Sequence, residues 1–208
     1  APVTLATRSP NILVAHPSLP VAGVRELVAY AKTNPGALNY ASGTVGSTNH
    51  LAAELFKALA GVNIARVSYK GSGFAVNDLI GGQVQLMFAT SGSIAPHVKS
   101  GRLRALATGG AKRSIAYPEI PTVAESGLPG FEWSNSYALF APAAVPADIV
   151  AKLNREVAKA MHQPDVVKKL SSDGSQPVGG TPEEFGALLK AELPKWGKIV
   201  KEANISMD

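Results

Sequence analysis

Short apolar runs alternate with amphipathic stretches through the first half of the chain. The runs indicate strands at Ile12–Ala15, Leu38–Ser42, Ala65–Tyr69, Leu86–Ala89 and Leu103–Thr108. The stretches between them indicate helices at Val21–Thr33, from Ser47 to Ala60, and near Phe74–Ile80 and Ile94–Lys99. Alternation of strands and helices predicts an α/β fold with a largely parallel sheet that is covered on both faces.

The second half of the chain is mainly helical in pattern. One strand-like run, Ser136–Ala141, precedes a helix in which apolar residues recur every four positions. The last helix opens with a capping box of Thr181 and Glu184 and carries an apolar stripe from Phe185 to Val200. These helices need a sheet to cover. Either they pack on the Ile12–Thr108 unit, or a partner for them is missing.

Composition narrows the possible classes of protein. Of 208 residues, 46% are apolar, and 20 glycines and 15 prolines indicate a folded chain with many short connections. No apolar run approaches the roughly 18 residues of a membrane span. The absence of cysteine excludes disulfides and thiolate metal sites. The net charge of +5 comes from scattered lysines and arginines, so we expect small anions and no nucleic acid as partners.

Three loops that follow predicted strands are built from glycine, serine and threonine. Each leads into a helix whose first turn carries no Asp or Glu, in contrast to the acid-bearing starts near residues 146, 163 and 181. An uncapped helix start suits a carboxylate or phosphate, and ligands of parallel sheets gather where strands end. The predicted ligand-binding residues are Gly43, Thr44, Gly46, Ser47, Thr48, Asn49, Tyr69, Lys70, Gly71, Thr90 and Ser91.

A simpler interpretation remains open for each loop. Glycine, serine and threonine are also ordinary turn and cap residues, and a hydroxyl of Ser47 or Thr48 is placed to cap its helix. The charge of Lys70 either contacts a ligand or is simply solvated. Tyr69 either hydrogen-bonds a ligand or closes the edge of the sheet with its ring.

Templates for catalysis are missing from the chain. It has no nucleophile elbow, dinucleotide fingerprint or Walker-type loop. The four histidines show no metal-ligand spacing, so we predict no metal and no cofactor. His50 is the histidine nearest the loops, and it lacks an orienting acid, which favours a structural or ligand-lining role over a catalytic one. We therefore predict that the protein is not an enzyme.

Short segments along the whole chain resemble one family. They are Pro2-Val3-Thr4-Leu5, Asn11-Ile12-Leu13-Val14, Asn39-Tyr40-Ala41-Ser42, Gly46-Ser47-Thr48, Tyr69-Lys70-Gly71, Gly82-Gln83-Val84, Pro96-His97, Leu103-Arg104-Ala105-Leu106-Ala107, Pro121-Thr122-Val123-Ala124-Glu125 and Gly179-Gly180-Thr181-Pro182-Glu183-Glu184-Phe185. In this order they resemble the substrate-binding proteins of tripartite tricarboxylate transporters, also called the Bug family of periplasmic receptors.

The resemblance implies a periplasmic binding protein of the type II-like class, with two lobes that close on small organic acids. Residues 1–9 would be an interlobe crossing, residues 10–130 a complete second lobe with a mostly parallel sheet, and residues 131–208 the return crossing and the C-terminal helical part of the first lobe. The expected ligands are di- and tricarboxylates held by backbone amides and hydroxyls. The expected partners are the membrane components of the transporter.

Two departures from the family modify this expectation. The long amino-terminal segment of the family is absent, so the chain is expected to be truncated, with its C-terminal stripe exposed and available for a homodimer. Ala89 stands where many members carry an acid, which favours a carboxylate without an ammonium group. The alternatives to a receptor are an orphan lobe that serves as a protein-interaction or sensor-partner module, and an enzyme with a base and nucleophile not visible in the pattern.

Overall fold

The computed structural model describes residues 1–172 and 174–206. Within them the chain forms two compact units. Unit 1 consists of Ala1–Ser9 and Asn135–Lys198, and unit 2 consists of Pro10–Ser134 with the described residues from Ile199 onward. The assignment of these units to the lobes of a receptor stays a prediction.

The strands and helices follow the order that the sequence pattern predicts, except that it predicts no strand at Gln176–Pro177. The strands are β1 (Pro2–Ala15), β2 (Asn39–Ser42), β3 (Ala65–Ser68), β4 (Leu86–Thr90), β5 (Arg104–Thr108), β6 (Ser134–Phe140) and β7 (Gln176–Pro177). The helices are α1 (Val24–Thr33), α2 (Thr48–Ala60), α3 (Ser72–Ile80), α4 (Ser91–Lys99), α5 (Ala147–Met161), α6 (Pro164–Ser172) and α7 (Pro182–Glu202).

Several predicted boundaries shift. Strand β1 begins at Pro2, well before Ile12. Helices α3 and α4 begin at Ser72 and Ser91, which lengthens both by two or three residues toward the preceding strand. Within the proline- and glycine-rich segment Tyr117–Gly130, the sequence also predicts one short helix at Val123–Ser126, but these residues form a hydrogen-bonded turn. None of the helices in residues 1–172 and 174–206 has the length and apolar character needed to cross a membrane.

Unit 2 contains a five-stranded sheet in the order β3-β2-β4-β1-β5. Strand β2 pairs in parallel with β3 and β4, whereas β1 runs antiparallel to both β4 and β5. Four strands thus share one direction, as expected of a mostly parallel sheet. In the β1–β4 register Asn11 lies opposite Thr90, so this part of β1 starts at the edge where β2, β3 and β4 end.

Both faces of this sheet are covered, as the strand–helix alternation predicts. On one face Ile12 and Met87 pack with Leu79 of α3 and Ile94 of α4. On the other face the rings of Phe56, Phe88 and Phe131 form a cluster with centroid separations of 5.6 to 6.4 Å. The alternation of Met87 and Phe88 between the two clusters follows directly from the two-residue period of a strand.

Unit 1 is built on the first part of β1, which pairs with β6 and β7. Asn154 of α5 donates hydrogen bonds to the carbonyl oxygens of Val3 at 3.0 Å and Gly180 at 2.9 Å. The Thr4 hydroxyl donates to the same Gly180 oxygen at 2.8 Å. These bonds fix the segment before α7 against the strand.

The apolar surface of unit 1 differs from the prediction. The stripe of α7 is not exposed: Phe185 is buried against the ring of Phe140 at 5.1 Å, and Trp196 is half-buried. The exposed large apolar side chains of unit 1 lie mainly on β6 and α5, and one lies on α7 outside the predicted stripe. They are Tyr137 (59% exposed), Leu139, Phe140, Ile149, Leu153, Val178 and, on α7, Leu193. The prediction of an exposed α7 stripe was wrong because β6 itself covers part of that helix.

Candidate functional site

A cavity of about 250 Å³ lies in unit 2, at the edge of the sheet where β2, β3 and β4 end. Three loops meet there, after β2, after β3 and at the β4–α4 junction. The lining residues are Asn11, Gly43, Thr44, Ser47, Thr48, Asn49, Tyr69, Lys70, Gly71, Ser72, Met87, Phe88, Ala89, Thr90 and Ser93. The three loops singled out by their composition therefore reach one cavity, although the ligand-binding role of their residues stays a prediction.

Two of the predicted residues do not line this cavity. Gly46 adopts a φ of 74°, a left-handed conformation that favours glycine, and it turns the loop instead of facing the cavity. Ser91 begins α4 and is 2% exposed, so its side chain packs inside the protein. Ser91 leaves the cavity wall because α4 starts there, three residues earlier than the apolar pattern indicates. A ligand-binding role for either residue stays a prediction.

The helix starts around the cavity carry no acid. The first turns of α2, α3 and α4 have no Asp or Glu, and their N-cap residues Ser47, Gly71 and Thr90 make no side-chain cap hydrogen bond. The other described helices carry an acid there: Glu26, Asp148, Asp165 and the pair Glu183 and Glu184. The positive ends of three helix dipoles thus face one cavity without a neutralising carboxylate.

The loop before α2 is held by the carboxamide of Asn49. Its Oδ1 accepts hydrogen bonds from the amide of Gly43 at 3.1 Å, the hydroxyl of Ser47 at 2.7 Å and the amide of His50 at 3.1 Å. Of the two residues whose hydroxyl could cap the helix, Ser47 and Thr48, Ser47 is the N-cap residue but makes no cap hydrogen bond, because its hydroxyl donates to Asn49. A neutral oxygen therefore organises the loop and satisfies two of its amides without adding charge.

His50 completes the loop from the other side. It is 5% exposed, and its Nδ1 accepts the amide hydrogen of Gly46 at 3.1 Å, so the ring is neutral with its proton on Nε2. Burial lowers the pKa of His50 below its usual value, and the nearby Arg66 guanidinium lowers it further. This is the structural role favoured by the sequence.

A positively charged side chain, that of Arg66, also holds the loop. Arg66 of β3 donates from Nε to the Ser42 hydroxyl at 2.7 Å and from Nη2 to the Gly43 carbonyl at 2.8 Å. Because these groups close the junction between β2 and the loop, the guanidinium holds the loop in place and adds positive potential beside the cavity.

The hydroxyl proton of Tyr69 is already used in a hydrogen bond within the protein. Its hydroxyl donates to Oδ2 of Asp78 at 2.9 Å, and burial together with this bond raises the pKa of Tyr69 to about 12. Any contact to a ligand would use the phenol oxygen as an acceptor, or the ring. Lys70, next in the chain, is exposed at the cavity and supplies its formal charge.

The third loop is stabilised internally by hydroxyl groups. Ser93 donates to the carbonyl oxygen of Thr90 at 2.8 Å, and the Thr90 hydroxyl donates to Ser93 Oγ at 3.1 Å. Both residues line the cavity with small polar groups.

Six lining residues were not among those predicted. Three are polar, namely Asn11, Ser72 and Ser93, and three belong to β4, namely Met87, Phe88 and Ala89. Ser72 and Ser93 follow from the earlier starts of α3 and α4. Asn11 was missed because only the ends of predicted strands were considered, whereas β1 runs antiparallel and brings its own start to the same edge. An isolated polar residue just before the apolar run Ile12–Ala15 was the available signal.

The lining of this cavity suits a small anion. Its lining contains one lysine, several hydroxyls and no acid. Among residues 1–172 and 174–206 there is no group of three or more His, Cys, Asp or Glu side chains able to hold a metal ion. The one histidine beside the loop already accepts a backbone hydrogen. The arrangement can bind a small anion by fixed dipoles and donors.

Comparison with known proteins agrees with the resemblance. Residues 1–205 match the family described as the tripartite tricarboxylate transporter family receptor. A protein encoded in the tcbD–tcbE intergenic region of Pseudomonas sp. strain P51 is 38% identical over 99% of this chain, which spans 61% of that protein. The chain thus spans less than two thirds of that relative's length.

Solved structures show the same fold. The R. palustris protein Rpa4515 with adipate is 38% identical, with a TM-score of 0.88, over 99% of this chain and 69% of its own. MatC (Rpa3494) from Rhodopseudomonas palustris with bound malate is 32% identical, with a TM-score of 0.83, over 96% of this chain and 69% of its own. These similarities confirm the periplasmic binding protein fold, and the chain belongs to the receptor family of tripartite tricarboxylate transporters, a family of binding proteins and not of enzymes.

Proposed function

We propose that this chain is the carboxylate-binding portion of an extracytoplasmic receptor that delivers small organic acids to a tripartite tricarboxylate transporter. The observation that carries the proposal is the meeting of three acid-free helix starts in one cavity whose lining includes Lys70 and no carboxylate. Membership of the family and the acids named with two of its solved relatives support the same class of ligand.

The proposed ligand is a di- or tricarboxylate. One carboxylate would lie against the start of α2, where the exposed side chains of Thr44 and Thr48 offer hydroxyl donors. The Lys70 ammonium would meet the same anion or a second carboxylate. Because Asn49 and His50 already engage the amides of Gly43, His50 and Gly46, binding relies on the remaining donors and on the helix dipole. We expect the protein to act in the periplasm, as the receptors of the family do.

Titration of the 208-residue chain by ¹⁵N NMR tests the proposal. Adipate and malate are the probes, and adipamide, which has the same length without charge, is the matched control. We expect the amides of Gly43, Thr48 and Gly71 to shift with the acids and not with the diamide. Lys70→Gln should weaken binding by roughly fivefold, consistent with one partly solvated ion pair, whereas Lys112→Gln outside the cavity should not. Unchanged spectra with every acid would contradict the proposal.

A second candidate function rests on the exposed apolar side chains of β6 and α5 in unit 1. Tyr137, Phe140 and Ile149 are each exposed, and exposed apolar side chains that lie together commonly mark interfaces. They favour association with another chain, as a homodimer or as a protein-interaction module. Sedimentation at increasing concentration tests this, with Phe140→Ser expected to reduce self-association. A chain that stays monomeric throughout would remove this candidate and leave the receptor proposal intact.

A further inference from the structure

A largely buried ion pair lies between α2 and the sheet, outside the cavity. Lys57 Nζ donates to both carboxylate oxygens of Glu54, at 2.8 and 2.9 Å, and the two side chains are only 23% and 11% exposed. The same carboxylate accepts the hydroxyl hydrogen of Tyr40, a residue of β2 that is 2% exposed. Lys57 Nζ also lies over the Tyr40 ring, 5.7 Å from its centroid. These contacts fix the pair in one place under α2.

The pair lies on the same face of the sheet as Arg66. In the parallel register of β2 and β3, Tyr40 is paired with Arg66, and paired residues of neighbouring strands project from the same face. The guanidinium donates to hydroxyl and carbonyl oxygens, and it forms no ion pair with a carboxylate among residues 1–172 and 174–206. Glu54 is thus paired with Lys57, while the charge of Arg66 at the loop before α2 is not neutralised by an acid.

The charge on Glu54 matters for an anion that binds at the start of α2. A carboxylate without a cation beside it would repel such an anion, and it would offset the positive potential of Arg66. The field of these side chains reaches the start of α2: the pKa of His50, lowered chiefly by burial, is lowered further by Arg66, raised by Glu54 and lowered by Lys57. The state of the ion pair therefore changes the potential that a ligand meets.

We propose that Lys57 is a positioning residue for carboxylate binding, which neutralises Glu54 so that the positive charge of Arg66 acts undiminished at the loop before α2. The inference rests on the proposed function and deepens it, because it names a charge pair outside the cavity that sets the affinity of the site. Neither Lys57 nor Glu54 lines the cavity, so both act on the ligand only through the field and the loop.

Variants that remove one charge each test the inference. The affinity of the 208-residue chain for adipate and malate is measured by calorimetry at low ionic strength, where screening is weakest. Lys57→Met leaves the Glu54 carboxylate unpaired, so affinity should fall about fivefold, as expected for a charge that acts across part of the protein at an effective dielectric of about 20 or more. Lys57→Gln serves the same purpose if the methionine variant fails to fold.

Glu54→Gln is expected to have the opposite effect. It keeps an acceptor for the Tyr40 hydroxyl and removes the negative charge, so affinity should rise about threefold. The double variant Glu54→Gln with Lys57→Met has the same net charge as the unsubstituted chain, and it should bind within about twofold of it. Opposite signs in the single variants and near cancellation in the double variant are not expected of a pair that only joins α2 to β2, because breaking such a contact would weaken binding in all three or in none.

Lys32→Met is the matched control for the loss of a lysine. Lys32 is exposed in the last turn of α1, which leads to the start of β2 and so to the sheet edge opposite the cavity. Its removal changes the net charge as Lys57→Met does, and it should leave affinity unchanged. In the ligand-free chain, NMR titration of the His50 imidazole should show a higher midpoint in Lys57→Met and a lower one in Glu54→Gln.

An affinity that falls in Glu54→Gln as well as in Lys57→Met, or that changes in neither, would overturn this inference and leave the proposed function standing. A double variant that binds as weakly as Lys57→Met would overturn it too, because the loss would not come from Glu54. Failure of every acid to bind to the unsubstituted chain would remove the proposed function, and this inference with it.

Discussion

The helix starts of this protein are of two kinds, and the contrast between α7 and α2 shows how they differ. In α7 the Glu184 carboxylate accepts the amide of Thr181 at 2.8 Å, while the Thr181 hydroxyl accepts the amide of Glu184 at 3.2 Å. In α1 the Glu26 carboxylate accepts the amide of Ala22 at 2.6 Å. These starts have their donors paired and their dipoles neutralised by the same fixed charge.

At the start of α2 backbone donors are paired, but the helix dipole is not neutralised. Asn49 and His50 pair with amides of the loop, but both are neutral, so the loop is rigid while its positive potential is kept. Arg66 increases that potential from behind. No carboxylate side chain of the protein has to leave this loop before an external anion binds. Such a loop is therefore suited to bind a carboxylate reversibly.

The largest effect is expected when an acid is placed at the start of α2, which has none. Thr48→Asp adds a charge at the first residue of α2 on the cavity wall. A carboxylate within about 4 Å of another at an effective dielectric of about 20 is repelled by several kcal/mol, so we expect affinity for organic acids to fall at least about 100-fold. Calorimetric titration measures the loss.

Thr48→Asn is the matched control for that charge, since it has the same shape as aspartate and no charge. It should bind within a few-fold of the unsubstituted chain. The stability of Thr48→Asp should be equal or higher, by about 0.5 kcal/mol, because an acid at a helix start interacts favourably with the dipole. Equal affinity of the two variants would show that the dipole of α2 does not take part in binding.

A smaller effect is expected when the neutral organiser of the loop is changed. Asn49→Leu deprives two amides and the Ser47 hydroxyl of their shared acceptor, so we expect the free energy of unfolding to fall by about 2–3 kcal/mol. Urea denaturation measures this change. Asn49→Asp restores an acceptor oxygen, and it should recover most of the stability while weakening carboxylate binding about tenfold.

These two variants separate geometry from charge. If Asn49→Asp bound carboxylates as well as the unsubstituted chain, neutrality at this position would not matter. If Asn49→Leu were as stable as the unsubstituted chain, the three hydrogen bonds to Oδ1 would not hold the loop.

Much of this arrangement could be predicted from sequence because it depends on local chemistry. The capping box at Thr181 and Glu184, the acid-free first turns and the glycine-rich loops are all short-range patterns, and the structure contains each of them. The short helix predicted at Val123–Ser126, by contrast, was wrong. There Thr122 and Glu125 exchange capping hydrogen bonds, but the segment closes as a turn, since Gly127 has a φ of 111°.

What failed depends on contacts between distant residues. Asn11 reaches the cavity only because β1 pairs antiparallel with β4, and no local pattern around residue 11 specifies its partner. Phe185, the first residue of the α7 stripe, packs against Phe140, which lies 45 positions earlier in the chain. Likewise, the loss of the Ser47 cap follows from competition with Asn49, which depends on the exact path of the loop.

The smallest expected effect concerns pH at the loop. His50 must be neutral to accept the Gly46 amide at Nδ1, and its pKa in the folded chain lies below the usual value of 6.5, chiefly through burial. The charges of Arg66 and Lys57 lower this pKa, and the Glu54 carboxylate raises it. Since the unfolded chain takes up the proton first, His50 contributes stability above about pH 6.5, and this contribution is lost as the pH falls through the folded pKa.

Thermal melts from about pH 8 to 5 should therefore show a steeper loss of stability for the unsubstituted chain than for His50→Asn, whose Oδ1 can replace the Nδ1 acceptor but does not titrate. NMR of the imidazole nitrogens should show the Nε2–H tautomer and a midpoint below 6.5. The acid-paired start of α7 has no such group, so Thr181→Ala should lower the whole melting curve without changing the difference between the two His50 forms. A His50 midpoint above 6.5, or parallel pH profiles for the two chains, would mean that the neutral imidazole does not hold this loop.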